Sequence, residues 1–157
     1  IAAYFLDFTQ KESCGKCTPC RVGTRVMVDL LERIKKGDAD EEDLDLLKRL
    51  GEVMTKGSLC ALGRSAPNPV LTTLRYFPHE YLEHIRDSRC RSGVCKEFIT
   101  FSVNSQCTGC AVCLRACPTS AITGKKKELH TIDPAKCIKC GVCRSVCQFD
   151  AVEVTSP

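Results

Sequence analysis

Apolar residues recur every three or four positions between residues 21 and 55, and this pattern predicts two amphipathic helices. Gly37, which follows two lysines, predicts the end of the first helix, and Asp38 or Asp40 predicts the N-cap of the second. Two short helices cannot bury both apolar faces alone, so we expect a small bundle completed by residues 70–74. The faces expected to be buried are Val22, Val26, Met27, Leu30, Leu31 and Ile34 in the first helix, and Leu44, Leu47, Leu50 and Met54 in the second.

The chain changes character after residue 60. Prolines interrupt it, residues 79–86 have the pattern of a short helix, and residues 98–103 have the aromatic and β-branched composition of a strand. We expect His130 to belong to another strand, which leads into the last cysteine motif.

A repeat occupies the end of the chain. The sequence CTGCAVCLRACPTSAIT at 107–123 aligns with CIKCGVCRSVCQFDAVE at 137–153, and all four cysteines match. These patterns predict an α+β protein with a helical domain (1–75), a linker that acts as a hinge (76–97), and a domain with a pseudo-twofold repeat (98–157).

Fourteen of the 157 residues are cysteine, which indicates either a disulfide scaffold or a metal protein. The many charged residues and the lack of a signal peptide favour a reducing compartment, so we expect a cytoplasmic protein whose thiols bind metal. No apolar run approaches 18 residues, and we therefore expect no membrane span.

The spacing C-x2-C-x2-C-x3-C-P at 107–118 is typical of bacterial ferredoxins, and its cysteines recur at 137–147. Three thiolates of one run can face one [4Fe–4S] cube, while the fourth, expected at the start of a helix, binds the other cube. The predicted ligands are Cys107, Cys110, Cys113 and Cys147 for one cluster, and Cys137, Cys140, Cys143 and Cys117 for the other.

Zinc and disulfides are the alternatives, because Cys-x2-Cys is also a zinc spacing. Two complete copies in register favour iron–sulfur clusters. Gln148 follows Cys147 where the ferredoxin pattern has proline, and this difference affects the shielding and hydrogen bonding of one cluster.

A further group, Cys14-x2-Cys17-x2-Cys20, offers three ligands for another cube, with Cys60 as the fourth. Its motifs, ESCGKCTPCR at 12–21 and SLCALG at 58–63, resemble the C-terminal helical domain of the NADH-binding flavoprotein subunit of respiratory complex I. The resemblance implies that these four cysteines hold one [4Fe–4S] cluster beside an FMN carried by a preceding domain.

The order of the two cysteine-rich regions resembles the beta subunit of electron-bifurcating [FeFe]-hydrogenases and of related NAD-dependent formate dehydrogenases. This implies that the chain is the C-terminal part of such a subunit, with FMN and NAD(H) bound outside it. The partners implied are other subunits of a multimeric redox complex and an external ferredoxin.

Cys90 and Cys95 remain after twelve cysteines are assigned, and two thiolates cannot complete a cluster. With His84 they predict a Zn²⁺ site that stiffens the joint between the domains; His79, Glu80 or a group outside the chain would complete it. The alternative is two reduced thiols beside surface histidines.

The formal net charge of +4 does not predict nucleic-acid binding, because three clusters with twelve thiolates would bring it to about −2. Residues 125–127 are three lysines, which we interpret as a solvated turn, with a docking patch for an acidic ferredoxin as the alternative.

The predicted chemistry is one-electron transfer, because no motif for hydrolysis or group transfer occurs and no complete active site is present. A complex I-like NADH dehydrogenase or a formate dehydrogenase is the alternative parent enzyme. Alternatives of another class are a module whose clusters only hold the fold, and a zinc-rich interaction protein.

Overall fold

The structure, a computed structural model, describes residues 1–156 and divides them into two compact units, Ile1–Arg91 and a second that begins at Ser92. The described secondary structure of the first unit is helical. Its helices are α1 (Ala2–Glu12), α2 (Thr18–Lys36), α3 (Glu41–Gly57), α4 (Ala61–Ser65), α5 (Asn68–Tyr76) and α6 (Pro78–Arg86).

Helices α2 and α3 are the two predicted from the apolar pattern, and their ends have the expected chemistry. Gly37 follows α2 in the left-handed conformation, with φ of 82°, which glycine adopts without steric cost. Asp40 caps α3: its side chain accepts from the backbone N–H of Asp43, and the Asp43 carboxylate accepts from the Asp40 N–H. The choice left open between Asp38 and Asp40 is thus resolved for Asp40.

The core of the first unit lies between α1, α2, α3 and α5, and most of the predicted apolar faces reach it. Val22 is the exception, since it is 47% exposed and the prediction that it is buried is wrong. At this turn Gly23 and Thr24 face the bundle instead, and a Cβ on Gly23 would lie 2.6 Å from the Met54 sulfur. The buried core residues are Ala2, Leu6, Met27, Leu30, Leu31, Ile34, Leu44, Leu47, Met54, Ala66, Val70 and Leu74.

Helix α6 packs against α2 and α5, so helical packing continues past residue 75. Tyr81, Leu82 and Ile85 are its partly buried residues on this core, and the Tyr81 hydroxyl lies 2.6 Å from the Thr73 hydroxyl. Burial raises the pKa of Tyr81, which keeps the phenol neutral and able to hydrogen-bond.

The second unit mixes short helices with short strands, so the α+β class holds for the described chain. Strand β1 pairs antiparallel with β4 (Phe101 opposite Val154), and β2 pairs with β3 (Ile122 opposite Ile132). The elements are a 3-10 turn (Lys96–Phe98), β1 (Thr100–Val103), α7 (Val112–Ala116), β2 (Ile122–Thr123), β3 (Thr131–Ile132), α8 (Val142–Ser145) and β4 (Val152–Thr155). Among the helices of residues 1–156, none is both long and apolar enough to cross a membrane.

Candidate metal centres

Two cavities in the second unit are each lined by four cysteines. In both, three cysteines come from one run of the repeat and the fourth comes from the other run. One cavity is lined by Cys107, Cys110, Cys113 and Cys147 and is called the Cys107 cavity below; the other, the Cys137 cavity, is lined by Cys137, Cys140, Cys143 and Cys117.

The two cavities are built from the same kinds of residues. In each, four thiols converge on a pocket that is partly open to solvent. Apolar side chains complete the walls, such as Phe101 and Ile132 in the Cys137 cavity and Val103 and Val152 in the Cys107 cavity.

The backbone bends around both cavities in the same way. Left-handed residues, which turn the chain sharply and direct successive N–H groups inward, occur at corresponding places in the two copies. The corresponding pairs are Gly109 (φ 67°) and Lys139 (φ 54°), Ala111 (φ 61°) and Gly141 (φ 78°), and Ser120 (φ 50°) and Asp150 (φ 48°). The sequence repeat is therefore also a repeat of backbone conformation.

The fourth cysteine of each run follows a short helix rather than starting one. Cys117 lies directly after α7, and Cys147 comes two residues after α8, so the prediction that this cysteine begins a helix is wrong. The helix instead starts just before the third cysteine, because the left-handed residues Ala111 and Gly141 end the loop there.

The thiols differ in their surroundings. Burial raises the pKa of both Cys113 and Cys143. Burial also acts to raise the pKa of Cys117, but hydrogen bonds from the backbone of Ala121 and Thr119 together outweigh it, so this pKa is lowered. The Ala121 nitrogen lies 3.3 Å from the Cys117 sulfur, which is the N–H···S contact that stabilises a thiolate.

His130 also lines the Cys107 cavity, and sequence reasoning missed this role. It precedes β3 instead of lying within it, and its Nδ1 is 3.6 Å from the Cys107 sulfur. No spacing rule relates a histidine to a cysteine 23 positions earlier; the two segments meet where the Lys127 N–H donates to the Gly109 carbonyl at 3.0 Å.

In the first unit, three of the four predicted cluster cysteines lie where helices begin. Cys17 is the N-cap of α2, Cys20 is buried in its first turn, and Cys60 is the N-cap of α4; Cys14 is exposed in the loop after α1. Hydrogen bonds from the backbone of Leu59, and then of Cys20, lower the pKa of Cys17. The Cys17 sulfur is therefore adjacent to the peptide that leads into Cys60, and the positive end of α2 favours its thiolate.

Gly63 allows α4 to approach Cys20. A Cβ at this position would lie 2.9 Å from the Cys20 Cβ and 2.7 Å from the Ser58 Cβ. We expect Gly63→Ala to push Cys60 away from the α2 thiols and to remove most of the iron bound by this group, measured as iron per chain. Gly51→Ala is the matched control, because its Cβ would press equally closely on the Leu71 side chain, at 2.8 Å, but on no cysteine, and it should keep its iron. Full iron in Gly63→Ala would contradict this packing role.

The ligand atoms of His84, Cys90 and Cys95 lie within 4.8 Å of one another. The His84 Nδ1 donates to the Glu80 carbonyl at 2.7 Å, and this contact leaves Nε2 with a lone pair for a metal. Cys90 is 1% exposed. Among the described residues the group consists of these three, without His79 or Glu80 as a fourth.

The chain belongs to the NADH-ubiquinone oxidoreductase-F iron-sulfur binding region family, whose model matches residues 1–84. A 4Fe-4S dicluster domain matches residues 106–151. The chain therefore carries two iron–sulfur binding domains in the order that the cysteine motifs predicted. The two family matches confirm the resemblance to these classes of iron–sulfur domain.

Its relatives are subunits of NAD(P)-linked redox enzymes. The NADP-reducing hydrogenase subunit HndC of Solidesulfovibrio fructosivorans is 46% identical over 97% of this chain and 31% of its own length. The NADP(+)-dependent formate dehydrogenase subunit beta of Moorella thermoacetica is 43% identical over 56% of this chain and 12% of its own length. A crystal structure of NAD+-reducing [NiFe]-hydrogenase superposes with a TM-score of 0.53 at 38% identity, covering 55% of this chain and 15% of that one. The chain thus spans less than a third of these relatives and is the iron–sulfur, electron-transfer region of such subunits.

Proposed function

We propose that this chain is a relay of three [4Fe–4S] clusters that passes single electrons between an FMN and NAD(H) site outside it and a ferredoxin or hydrogenase partner. The observation that carries the proposal is the pair of cavities, each lined by three cysteines of one run and one of the other. The parent enzyme would be an NAD(P)-dependent, electron-bifurcating hydrogenase of several subunits.

The ligands proposed for the clusters are those predicted from the sequence. Backbone proximity of Cys17 to Leu59 supports a third site in the first unit. The three sets are Cys14, Cys17, Cys20 and Cys60; Cys107, Cys110, Cys113 and Cys147; and Cys137, Cys140, Cys143 and Cys117.

A pseudo-twofold axis through the second unit is part of the proposal. Such an axis would exchange β1, which precedes the first cysteine run, with β3, which precedes the second. It would likewise exchange β2 and β4, the strands that follow the two runs. The antiparallel pairs β1–β4 and β2–β3 are those that this exchange requires, and the repeated left-handed residues support it.

When bound, each cluster would take up and release one electron. The chain's own contribution is to fix the cluster positions and to control the surroundings of the sulfurs. Apolar side chains in the cavity walls limit the contact of the sulfurs with water, and backbone N–H groups, such as that of Ala121 toward Cys117, stabilise the negative charge on the thiolates.

A hydrogenase parent is favoured over a formate dehydrogenase or complex I parent by the extent of the match. The hydrogenase subunit aligns with nearly the whole chain, whereas the formate dehydrogenase match covers 56% of it. The lysines at 125–127 are exposed, in keeping with a solvated turn. Docking of ferredoxin, the hinge at 76–97 and the cytoplasmic location stay predictions.

We further propose that His84, Cys90 and Cys95 hold one Zn²⁺, with His79, Glu80 or a group outside the chain as the fourth ligand. Cys90→Ser and Cys95→Ser should each release about one zinc per chain and leave the iron content unchanged, because neither thiol lines a cluster cavity. Metal analysis after anaerobic purification measures zinc and iron per chain. The same analysis of His79→Ala and Glu80→Gln identifies the fourth ligand as the residue whose substitution releases zinc. Zinc that stays bound in both cysteine variants would refute the site.

Redox titration followed by EPR separates the electron relay from a module whose clusters only hold the fold. The relay predicts reversible one-electron reduction of the clusters at low potential, with no loss of iron over several cycles. Clusters that resist reduction, or that break down on the first reduction, would favour the structural alternative.

A further inference from the structure

His130 is buried at the wall of the Cys107 cavity, with an exposed fraction of 1%. Gly124 fixes the ring: this residue has φ of 148°, and a Cβ on it would lie 2.5 Å from the His130 Cδ2. The ring is thus held with its Nδ1 3.6 Å from the Cys107 sulfur.

The surroundings of the ring determine where its proton sits. Nε2 is buried and has no hydrogen-bond partner among the described residues. A proton on Nε2 would be an orphaned buried donor and would leave the Nδ1 lone pair facing the sulfur lone pairs, which repel it. A cluster-bound Cys107 thiolate can only accept, so the contact is a hydrogen bond when Nδ1 carries the proton, and the buried Nε2 is then an unpaired acceptor instead of an unpaired donor.

We propose that this hydrogen bond raises the reduction potential of the cluster in the Cys107 cavity; the inference rests on the proposed function. Reduction adds negative charge to the cluster and its thiolates. A donor aimed at one of these sulfurs therefore stabilises the reduced form more than the oxidised form.

The Cys137 cavity has no equivalent imidazole. The position matching His130 in the repeat is Thr100, an exposed residue of β1. The side-chain donor available there is the Thr119 hydroxyl, 3.7 Å from the Cys117 sulfur. Thr119 is only half-buried, so water can replace its hydroxyl when it is removed, whereas water cannot reach the place of the buried His130 ring.

Two substitutions separate the hydrogen bond from the packing of the ring. His130→Leu removes the donor. At a fixed potential, we expect the reduced-to-oxidised ratio of the cluster in the Cys107 cavity to fall about tenfold, which equals a decrease of its reduction potential by about 59 mV for one electron. His130→Asn keeps an N–H near the place of Nδ1. Its reduced-to-oxidised ratio should therefore stay within about twofold of the ratio in the unsubstituted chain. Thr100→Val, at the exposed position that matches His130 in the repeat, is the control, because Thr100 lines neither cavity; it should change the reduced-to-oxidised ratio of neither cluster by more than about twofold.

The readout is an anaerobic EPR redox titration of the cluster-loaded chain, with iron content measured on the same samples. Unchanged potentials in His130→Leu at full iron, or equal shifts in His130→Leu and His130→Asn, would overturn the proposal. Lack of iron in the unsubstituted chain would instead refute the proposed function.

If His130→Leu loses the cluster of the Cys107 cavity, its potential cannot be measured. The unsubstituted chain then shows whether His130 donates a hydrogen bond to the Cys107 sulfur. Labelling histidine with ¹⁵N at Nδ1 and recording hyperfine spectra of the reduced clusters should reveal a coupled ring nitrogen. A reduced, fully loaded chain without such coupling would overturn the hydrogen bond.

Discussion

Cys117→Ser should empty the Cys137 cavity, although Cys117 belongs to the other cysteine run. The four cysteines that line this cavity come from both copies of the repeat, so removal of one thiolate from the first copy leaves three from the second. We expect about four of twelve irons to be lost, or one iron if a three-iron cluster remains. Iron analysis and EPR of the anaerobic protein measure the loss.

Cys113→Ser is the matched control, because Cys113 lies four residues earlier in the same run but lines the Cys107 cavity. It should affect the Cys107 cluster and leave the Cys137 cluster in place. His130 provides the marker: the ¹⁵N coupling proposed above should survive in Cys117→Ser and vanish in Cys113→Ser. Loss of the coupling in both variants would mean that each run binds its own cluster.

Cys60→Ser should remove the cluster of the first unit and leave both clusters of the second. Cys60 lies beyond α3, and it is brought to Cys17 by the turn that places Leu59 beside the Cys17 sulfur. We expect about four irons to be lost, and in the parent subunit we expect electron transfer from NADH to the ferredoxin-type clusters to fall by more than tenfold.

Val53→Ala in α3 is a control for Cys60→Ser, because this exposed residue is remote from the core and should change neither iron content nor electron transfer. Stopped-flow reduction with two reductants separates a lost electron route from damage to the remaining clusters. In Cys60→Ser, NADH should reduce the remaining clusters slowly, whereas dithionite should still reduce them. Normal reduction by NADH in that variant would show that electrons bypass this site.

The sequence pattern predicted the parts of the fold that have long periodic signals. Helices α2 and α3 follow from their apolar stripes, and the Asp40 cap and the Gly37 stop follow from residue chemistry. Helix α1 was not predicted: Ala2 and Leu6 are buried, but Tyr4 and Phe5 on the same short helix are exposed, so no clean apolar stripe marks it.

Features that depend on contacts distant in sequence were the ones that could not be predicted. Strands β2 and β3 have two residues each, too few for an alternating pattern. His130 comes to Cys107 through the contact of the 127–128 backbone with Gly109, which no local pattern marks. Val22 matches the stripe of α2, but the close packing of Gly23 on Met54 turns it outward.

The cysteine sites were predicted in part from the sequence. Their spacing predicts which four thiols bind each cluster, three from one run and one from the other, and the same four line each cavity. The place of Cys117 after α7 could not be read from spacing, since it depends on the left-handed residue Ala111, after which the helix already begins at Val112.

The central claim is that the chain holds three [4Fe–4S] clusters, and anaerobic measurement of iron and acid-labile sulfide per chain tests it most directly. Protein purified without added metal should contain about twelve iron and twelve sulfide. About eight of each would leave the clusters of the second unit and refute the site formed by Cys14, Cys17, Cys20 and Cys60. Iron near zero, with several zinc ions in its place, would contradict the electron-transfer function altogether.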